Sequence, residues 1–275
     1  MRKIATLLVC TALVMPSMGT AAETRLKTYE FNGANGTTPA GWEADGNGRV
    51  FGQGVVRSMG SHNGSGLLNV AVETYDSSGK FREESMRTTD RWAPSAGNRT
   101  YITVRARVRI NHTRTGIVHG LFMYTDWTEN GRKHQDELDF EWLTKKSGPT
   151  NPDTVNVSSW KRWNVNAGYN QPYNSTYGMQ LSESVASGVN TESFHKYEMK
   201  WYPDKLEFYV DDSLRRRITN TNLIPTRAMP VFLNSWVPNS DWTDAYVAGL
   251  TPTNRANNKV YNMQVDWLTV DRGTY

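Results

Sequence analysis

The sequence predicts an all-β protein, a sandwich or barrel built from many short strands. Short segments in which apolar and polar residues alternate recur from Thr28 onward, separated by Gly, Asn, Pro and Asp. No segment keeps a sustained helical period, and only Leu181 to Val189 could hold one or two helical turns. The 275 residues are 37% hydrophobic and 11% aromatic, which is enough for a large core. Since no repeat or composition break divides them, we expect one domain.

The first 22 residues are predicted to be an export signal and not part of the fold. Arg2 and Lys3 give a positive start, Ile4 to Met15 is mostly apolar, and small residues follow. This apolar run is shorter than the roughly 20 residues that span a bilayer. We therefore expect residues 23–275 to form a single secreted domain, extracellular or periplasmic, with no attachment to a membrane.

Cysteine usage and charge exclude several classes of function. Cys10 is the only cysteine and lies inside the predicted signal, so the mature chain has no disulfide and no cysteine metal site. The net charge of +4 becomes +4 − 2 = +2 without the two basic residues of the signal. So mild an excess does not indicate a nucleic-acid partner, and we expect a monomer. Three basic clusters are expected to be solvated, with an anionic polymer as the alternative contact: Lys145-Lys146, Lys161-Arg162 and Arg215 to Arg217.

Eight segments are predicted to be strands. The clearest is Tyr101 to Ile110, where polar and apolar or small residues alternate from Thr103. Turn residues at Pro203-Asp204 and Asp211-Asp212 flank one short strand and predict its hairpins. In chain order the predicted strands are Leu67 to Val72, Tyr101 to Ile110, Ile117 to Tyr124, Glu137 to Leu143, Tyr197 to Trp201, Leu206 to Val210, Val231 to Trp236 and Val260 to Val270.

The predicted strand that contains Glu137 carries the clearest chemistry. Successive side chains of a strand point to opposite faces, so Glu137, Asp139 and Glu141 share one face while the apolar residues between them share the other. Carboxylates this close raise one another's pKa. Two carboxyls held in different protonation states are what cleavage of a glycosidic bond requires. The alternative is a strand that is acidic without a function.

The spacing of the two glutamates also predicts the shape of the sheet. Residues four apart on a flat strand are about 13 Å apart, whereas retaining glycosidases hold two carboxyls about 5–5.5 Å apart. Glu137 and Glu141 could approach that separation only on a curved strand, and a concave sheet would suit a polysaccharide. One glutamate would attack the sugar and the other would act as acid and base. Asp139 could bond the nucleophile and raise the pKa of the acid.

Several segments resemble glycoside hydrolase family 16. Asp136 to Leu143 resembles the Glu-x-Asp-x-Glu form of its signature, which bacterial lichenases and plant xyloglucan transglycosylases carry. Laminarinases, agarases and κ-carrageenases typically have one more residue before the last Glu. Other segments resemble the family in the right order, over nearly all of the mature chain: Gly116 to Tyr124, Phe194 to Trp201, Leu206 to Asp211, Asn234 to Trp236 and Val265 to Trp267.

The resemblance implies a β-jelly roll, a sandwich of two antiparallel sheets with a concave substrate cleft. It implies that Glu137 is the nucleophile, Asp139 its helper and Glu141 the acid/base. It implies no cofactor for catalysis, but Asp266 matches a residue that can help bind a structural Ca²⁺; a plain strand-end aspartate is the alternative. Substrate-binding positions are implied at Arg87, Phe122, Tyr124, Asp136, Trp160, Asn234 and Trp236.

At some positions the chain departs from lichenases. Gln135 stands where they often have Trp, Ser158 where they tend to have Asn, and Ser85 where Glu is usual, so that Glu84 would either replace that glutamate or have no such role. We expect a retaining endo-hydrolase of a β-linked polysaccharide, most simply a β-glucan. The alternatives are a transglycosylase on the same fold, an endo-hydrolase of a galactan such as agar or carrageenan, and a non-catalytic carbohydrate-binding protein.

Overall fold

The computed structural model describes five stretches of the chain, residues 22–45, 52–112, 115–145, 154–164 and 179–275. The predicted export signal, up to residue 21 and including Cys10, lies outside them. Among the helices within these stretches, none has the length and apolar character needed to span a bilayer.

The described residues form sixteen strands and two short 3₁₀ helices, Thr221–Leu223 and Arg255–Asn257. In chain order the strands are β1 Thr24–Glu30, β2 Trp42–Ala44, β3 Val55–Ser58, β4 Ser61–His62, β5 Leu68–Glu73, β6 Arg82–Thr88, β7 Thr100–Ile110, β8 Val118–Glu129, β9 Arg132–Leu143, β10 Thr154–Asn164, β11 Met179–Ala186, β12 His195–Trp201, β13 Leu206–Val210, β14 Ser213–Ile218, β15 Val231–Trp236 and β16 Val260–Thr274.

These strands make one hydrogen-bonded sheet that curls into a two-layered, barrel-like sandwich. The order is β11-β10-β9-β8-β15-β6-β5-β16-β7-β12-β13-β14, with β1 on β16, β2 and β3 on β6, and β4 on β5. One layer runs from β11 to β6 and contains the acidic strand β9; the other contains β1, β16, β7 and β12 to β14. The predicted all-β jelly roll is confirmed. Its layers are joined along one edge, since β16 pairs with both β5 and β7.

The core lies between the two layers. On β9 the apolar side chains face inward, where the ring of Phe140 meets those of Phe208 and Tyr197 at centroid distances of 5.3 and 5.5 Å. On β7 the predicted alternation is confirmed, because Val104 is buried while Arg105 points outward. The inward faces of both layers are therefore filled by apolar side chains, and the opposite face of β9 is left for polar groups.

The structure corrects the one helical expectation. Leu181 to Val189 does not form helical turns, because β11 occupies Met179–Ala186. Its half-buried and exposed side chains alternate with a period of two residues, as on a strand. The turn expected at Asp211-Asp212 is confirmed, with φ angles of 47° and 65°. Eight of the sixteen described strands were not predicted; among them β6 is rich in charged residues and β10 is rich in Ser, Asn and Trp.

Candidate active site

Asp139 lies at the centre of a row of side chains that crosses the layer of β9. Its partner is Phe122 on β8 on one side and Ser158 on β10 on the other. The row continues through Phe232 on β15 to Arg87 on β6. Directly opposed residues of paired strands share a face. The row therefore joins five strands across the face that points away from the core.

The two glutamates lie in the neighbouring rows of the same face. Glu137 is opposite Tyr124 and Trp160, and Glu141 is opposite Gly120 and Asn156. Asn234 is opposite Gly120, and Trp236 is two residues further along β15. The structure thus brings six of the seven predicted binding residues to the face of the trio: Arg87, Phe122, Tyr124, Trp160, Asn234 and Trp236.

Asp136 is not brought to this face. It is fully buried on the other side of β9. Its Oδ1 accepts a hydrogen bond from the backbone N of Arg162 at 2.8 Å, and its Oδ2 accepts from the backbone N of Thr226 at 2.8 Å and of Arg227 at 3.1 Å. Three backbone donors therefore occupy this carboxylate. Asp136 ties β9 to β10 and to the segment before β15, and it does not point into the cleft.

Asp139 is the most enclosed carboxyl of the trio. It is 4% exposed and accepts a hydrogen bond from the Ser158 hydroxyl. Burial, followed by the charges of Glu137 and Glu141, raises the pKa of Asp139 well above its usual range. Asp139 also shares a hydrogen bond with Glu137. The raised pKa favours the protonated form of Asp139, whose O–H can donate a hydrogen bond to the Glu137 carboxylate.

Glu141 is poised between its two protonation states near neutral pH. Burial raises its pKa to about 7, partly offset by a hydrogen bond from Asn156. The Asn156 Nδ2 donates to Glu141 Oε2 at 2.9 Å and also to the Ser182 hydroxyl at 3.0 Å, which fixes the amide. A carboxyl with a pKa near the working pH is suited to give and take a proton. These properties fit the acid/base role expected for Glu141.

Glu137 has a different neighbour from the other two carboxyls. Gln135, two residues earlier on the same face of β9, donates from Nε2 to Glu137 Oε2 at 2.8 Å. The bond holds one oxygen of the carboxylate, and it favours the ionised form. An ionised carboxylate beside protonated neighbours can attack a sugar carbon.

Tryptophan pairs lie towards the two ends of this face. Trp236 is stacked on Trp242 with ring centroids 5.5 Å apart and planes 26° apart. On β10 the rings of Trp160 and Trp163 meet edge to face, also at 5.5 Å. Between them, the ring of Phe122 on β8 stacks on that of Phe232 on β15, with ring centroids 4.8 Å apart. Flat apolar rings beside polar groups suit the faces of sugar rings.

A glycine makes room beside Glu141. A Cβ added at Gly120 would lie 2.6 Å from Asn234 Oδ1 and 3.3 Å from the Phe122 ring. This Oδ1 is buried and makes no hydrogen bond within the described part of the chain. It can therefore accept one from a sugar hydroxyl placed over Gly120.

The earlier strand β6 contributes less than expected. Arg87 ends the row of Asp139, where its Nε bonds Glu43 at 2.7 Å. Glu84 does not replace the missing glutamate, because it points to the other face and accepts from the Ala71 backbone N at 2.8 Å and the Ser58 hydroxyl at 3.1 Å. Burial raises the pKa of Glu84 to about 7. The Glu84 carboxyl thus links β6 to its neighbours β5 and β3 by hydrogen bonds.

Asp266 lies on β16, away from the trio, and its carboxylate is paired with the Arg107 guanidinium. Within the described stretches no three His, Cys, Asp or Glu side chains gather in a way that could hold a metal ion. Calcium prefers six to eight oxygen ligands. Since backbone carbonyls and water can supply most of these ligands, the Ca²⁺ expected at Asp266 stays a prediction that rests on the resemblance alone.

Four residues of this face were not assigned a role from the sequence: Gln135, Asn156, Ser158 and Phe232. The alternation of β9 already places Gln135 with the trio, so its position was available. The other three lie on β10 and β15, and only the register of these strands with β9 and β8 shows which residues they oppose.

Comparisons with known proteins identify a family for this chain. The family model of Glycosyl hydrolases family 16 matches residues 93–268. The β-glucanase of Acetivibrio thermocellus is 29% identical over 154 residues, 55% of this chain and 38% of that protein. The β-glucanase of Bacillus subtilis is 30% identical over 122 residues, 44% of this chain and 41% of that protein. The chain thus spans less than half the length of these two relatives.

A solved structure has the same fold over almost the whole chain. The endo-1,3-β-glucanase of Streptomyces sioyaensis superposes with a TM-score of 0.67 at 20% identity, covering 96% of this chain and 100% of that one. At this identity the likeness concerns the fold.

Proposed function

This chain belongs to glycosyl hydrolases family 16, and from that premise we propose that it is an endo-acting hydrolase of a β-glucan with a retaining mechanism. The observation that carries the proposal is the set of three carboxyls on one face of β9, each in a different environment. The pKa values of Asp139 and Glu141 are raised, which favours their protonated forms, and Glu137 accepts a hydrogen bond that favours its charged form. Such a difference within one site is what the reaction needs.

The first step breaks the glycosidic bond. The Glu137 carboxylate attacks the anomeric carbon and forms a glycosyl ester, while the Glu141 carboxyl gives its proton to the departing oxygen. Asp139, protonated, donates to Glu137 and holds it in place. With a pKa of about 7, a useful fraction of Glu141 carries the required proton in neutral solution.

The second step releases the sugar. Glu141, now a carboxylate, takes a proton from water, and the water oxygen attacks the anomeric carbon. Glu137 leaves as a carboxylate, so two inversions retain the β configuration. Asn156 holds Glu141 in both steps, because its amide can donate to the carboxylate and to the neutral acid alike.

Two observations support a β-glucan as the substrate: the side chains that cover the face of the trio, and the names of the relatives matched in sequence. Polar and aromatic side chains cover the face on both sides of the trio, over several strands, as an internal cut in a polymer requires. The relatives matched in sequence are named β-glucanases. A polysaccharide outside the cell also fits the expected export of the chain, with a monomer as the expected form and no nucleic acid or membrane as partner.

The test is the release of reducing ends by the purified chain from lichenan, laminarin, xyloglucan, agarose and carrageenan. We expect release from a β-glucan, with β-anomers as first products by NMR. Glu137→Gln should lower kcat by at least about 10³-fold. The matched control is Glu192→Gln, an exposed glutamate in the loop before β12, which should be unchanged.

Each other outcome names a different function. Release only from agarose or carrageenan would make the chain a galactan hydrolase. Products longer than the starting oligosaccharides would make it a transglycosylase. Binding of a polysaccharide without cleavage, equal in parent and Glu137→Gln, would make it a carbohydrate-binding protein.

A further inference from the structure

We infer that Gln135 is a positioning residue for the reaction: its side-chain amide fixes one oxygen of the Glu137 carboxylate and leaves the other to attack. The inference rests on the proposed function, since it concerns the same site. Gln135 Nε2 is 2.8 Å from Glu137 Oε2, and Gln135 is 8% exposed. The two residues are neighbours on one face of β9. The bond is therefore partly buried and runs along the strand.

The neighbours of Gln135 keep its amide in this orientation. On β10 it is opposite Trp163, which is 2% exposed and limits the space beside it. On β8 it is opposite Asp126, whose carboxylate pairs with Lys133 Nζ at 2.6 Å. Because Lys133 satisfies Asp126, this second carboxylate competes less for the amide N–H. Gln135 is thus free to donate to Glu137.

A neutral donor suits a nucleophile better than a cation would. A guanidinium or ammonium group at this distance would stabilise the carboxylate strongly and lower its reactivity. An amide N–H gives a weaker bond. With Asp139 donating from the opposite side along the strand, Glu137 is held by two uncharged groups. The carboxylate is oriented while it keeps its charge.

The amide also contacts the carboxyl group on which charge returns in the second step, because that charge is shared by both of its oxygens. When the glycosyl ester is hydrolysed, Glu137 leaves as a carboxylate. A donor already placed at its oxygen stabilises this developing charge without reorganisation. Gln135 should therefore assist both the binding geometry of the first step and the departure in the second.

The titratable groups near Glu137 lie on its own strand and on the two strands paired with it, β8 and β10. On its own strand they are Asp139 and Glu141, both with raised pKa values. On β8 they are Asp126 and Tyr124, and burial raises the pKa of Tyr124, which stays neutral. On β10 the bases next to Trp160 point elsewhere: Lys161 Nζ donates to the Thr221 carbonyl, and Arg162 pairs with Glu129.

Two substitutions test the inference, with a matched control. Gln135→Met keeps the length of the side chain and removes the N–H. Gln135→Glu keeps the shape and places a like charge against Glu137. The control is Gln264→Met on β16, where a glutamine with 9% exposure donates to Asn69 Oδ1 at 3.0 Å in the other layer.

The first measurement is the pH dependence of kcat/KM on the polysaccharide that the parent cleaves. We expect the acidic limb, which reports ionisation of Glu137, to move up by about one pH unit in Gln135→Met and further in Gln135→Glu. At the optimum kcat/KM should fall ~10-fold in Gln135→Met. Gln264→Met should reproduce the parent profile. An unmoved acidic limb in both Gln135 variants would overturn the inference.

The second measurement needs no substrate. The full chain is labelled with ¹³C at the glutamate carboxyls, and the Glu137 signal is identified by its loss in Glu137→Gln. Its titration should shift to higher pH in Gln135→Met and not in Gln264→Met. If the parent cleaves no polysaccharide, the proposed function fails and this titration still decides whether Gln135 holds Glu137. If the parent is active and the titration does not move, the role of Gln135 is wrong.

Discussion

Carboxyls withdrawn from solvent occur on both layers of the sandwich, but those of the outer layer contact a cation and those of the concave layer contact uncharged groups. On the outer layer the guanidinium of Arg105 binds the carboxylates of Glu23 and Glu198 at once. On the concave layer Asp139 and Glu141 receive hydrogen bonds from a hydroxyl and an amide. Burial raises the pKa of the carboxyls in both groups. In the outer group a shared cation offsets this rise.

The protonation states follow from this difference. Burial raises the pKa of Glu23, but the bond and charge of Arg105 outweigh it, so the pKa of Glu23 ends below its usual value. Burial is not offset in this way at Asp139 and Glu141, whose pKa values are raised. On the outer layer the lowered pKa of Glu23 favours its charged form beside Arg105. The concave carboxyls keep exchangeable protons, which is the property that acid/base chemistry uses.

The largest effect should come from removing the exchangeable proton. Glu141→Ala should lower kcat/KM on the polysaccharide by about 10³–10⁴-fold. On an activated aryl glycoside, added azide should restore turnover and give a β-glycosyl azide, measured by NMR, because the small anion needs no general base.

Glu198→Gln is the matched change on the outer layer and should leave kcat unchanged for folded protein. An α-glycosyl azide from Glu141→Ala would mean that Glu141 is the nucleophile and that the two roles are exchanged.

A smaller effect, on stability, should come from removing the outer cation. Arg105 is 17% exposed and contacts three carboxylates, the third being Asp271 at 2.8 Å. Arg105→Met should lower the free energy of unfolding in urea by about 2 kcal/mol, since three carboxylates lose their shared cation while Arg25 stays paired with Asp271 and Lys200 with Glu198. The kcat of the folded fraction should not change. Arg272→Met, an exposed arginine on the same layer, is the control; equal losses in both variants would contradict the comparison.

The smallest effect should be a gain of stability. In the folded chain the pKa of Glu141 is about 7, above the unfolded value of 4.5, so the folded state binds more protons in this range. The free energy of unfolding of the parent chain therefore falls as the pH rises from 4.5 to 7. Glutamine has no charge to lose or gain, so the free energy of unfolding of Glu141→Gln should exceed that of the parent by on the order of 1–2 kcal/mol at pH 7.

Urea unfolding at several pH values checks this prediction. The advantage of Glu141→Gln should vanish at pH 4, where the carboxyl is protonated in both states. Exposed Glu192→Gln should show no such trend, and a constant difference at all pH values would rule out the raised pKa as its cause.

The alternation of β9 made much of the site predictable. It placed Glu137, Asp139 and Glu141 together, and the same rule places Gln135 with them and Asp136 with the core. The family resemblance suggested that Asp136 faces the cleft, and the structure follows the alternation instead.

The unpredicted parts have a common physical cause. β10 and β6 carry polar residues on the concave face, so neither shows the apolar alternation that marks a half-buried strand. The misread β11 is half-exposed, and few apolar residues define its period. On β6 and β10 the polar residues that line the cleft thus hide the local pattern of a strand.

The sequence by itself determined the all-β class, eight of the sixteen described strands and the face on which the three carboxyls meet, because the pleat of a strand fixes these over a few residues. Only the tertiary structure decided which side chains stand beside each carboxyl. Ser158 reaches Asp139 and Asn156 reaches Glu141 through the register of β10 with β9. The pKa of each group depends on burial and on such neighbours, and both arise when strands distant in sequence pair and the layers close over the core.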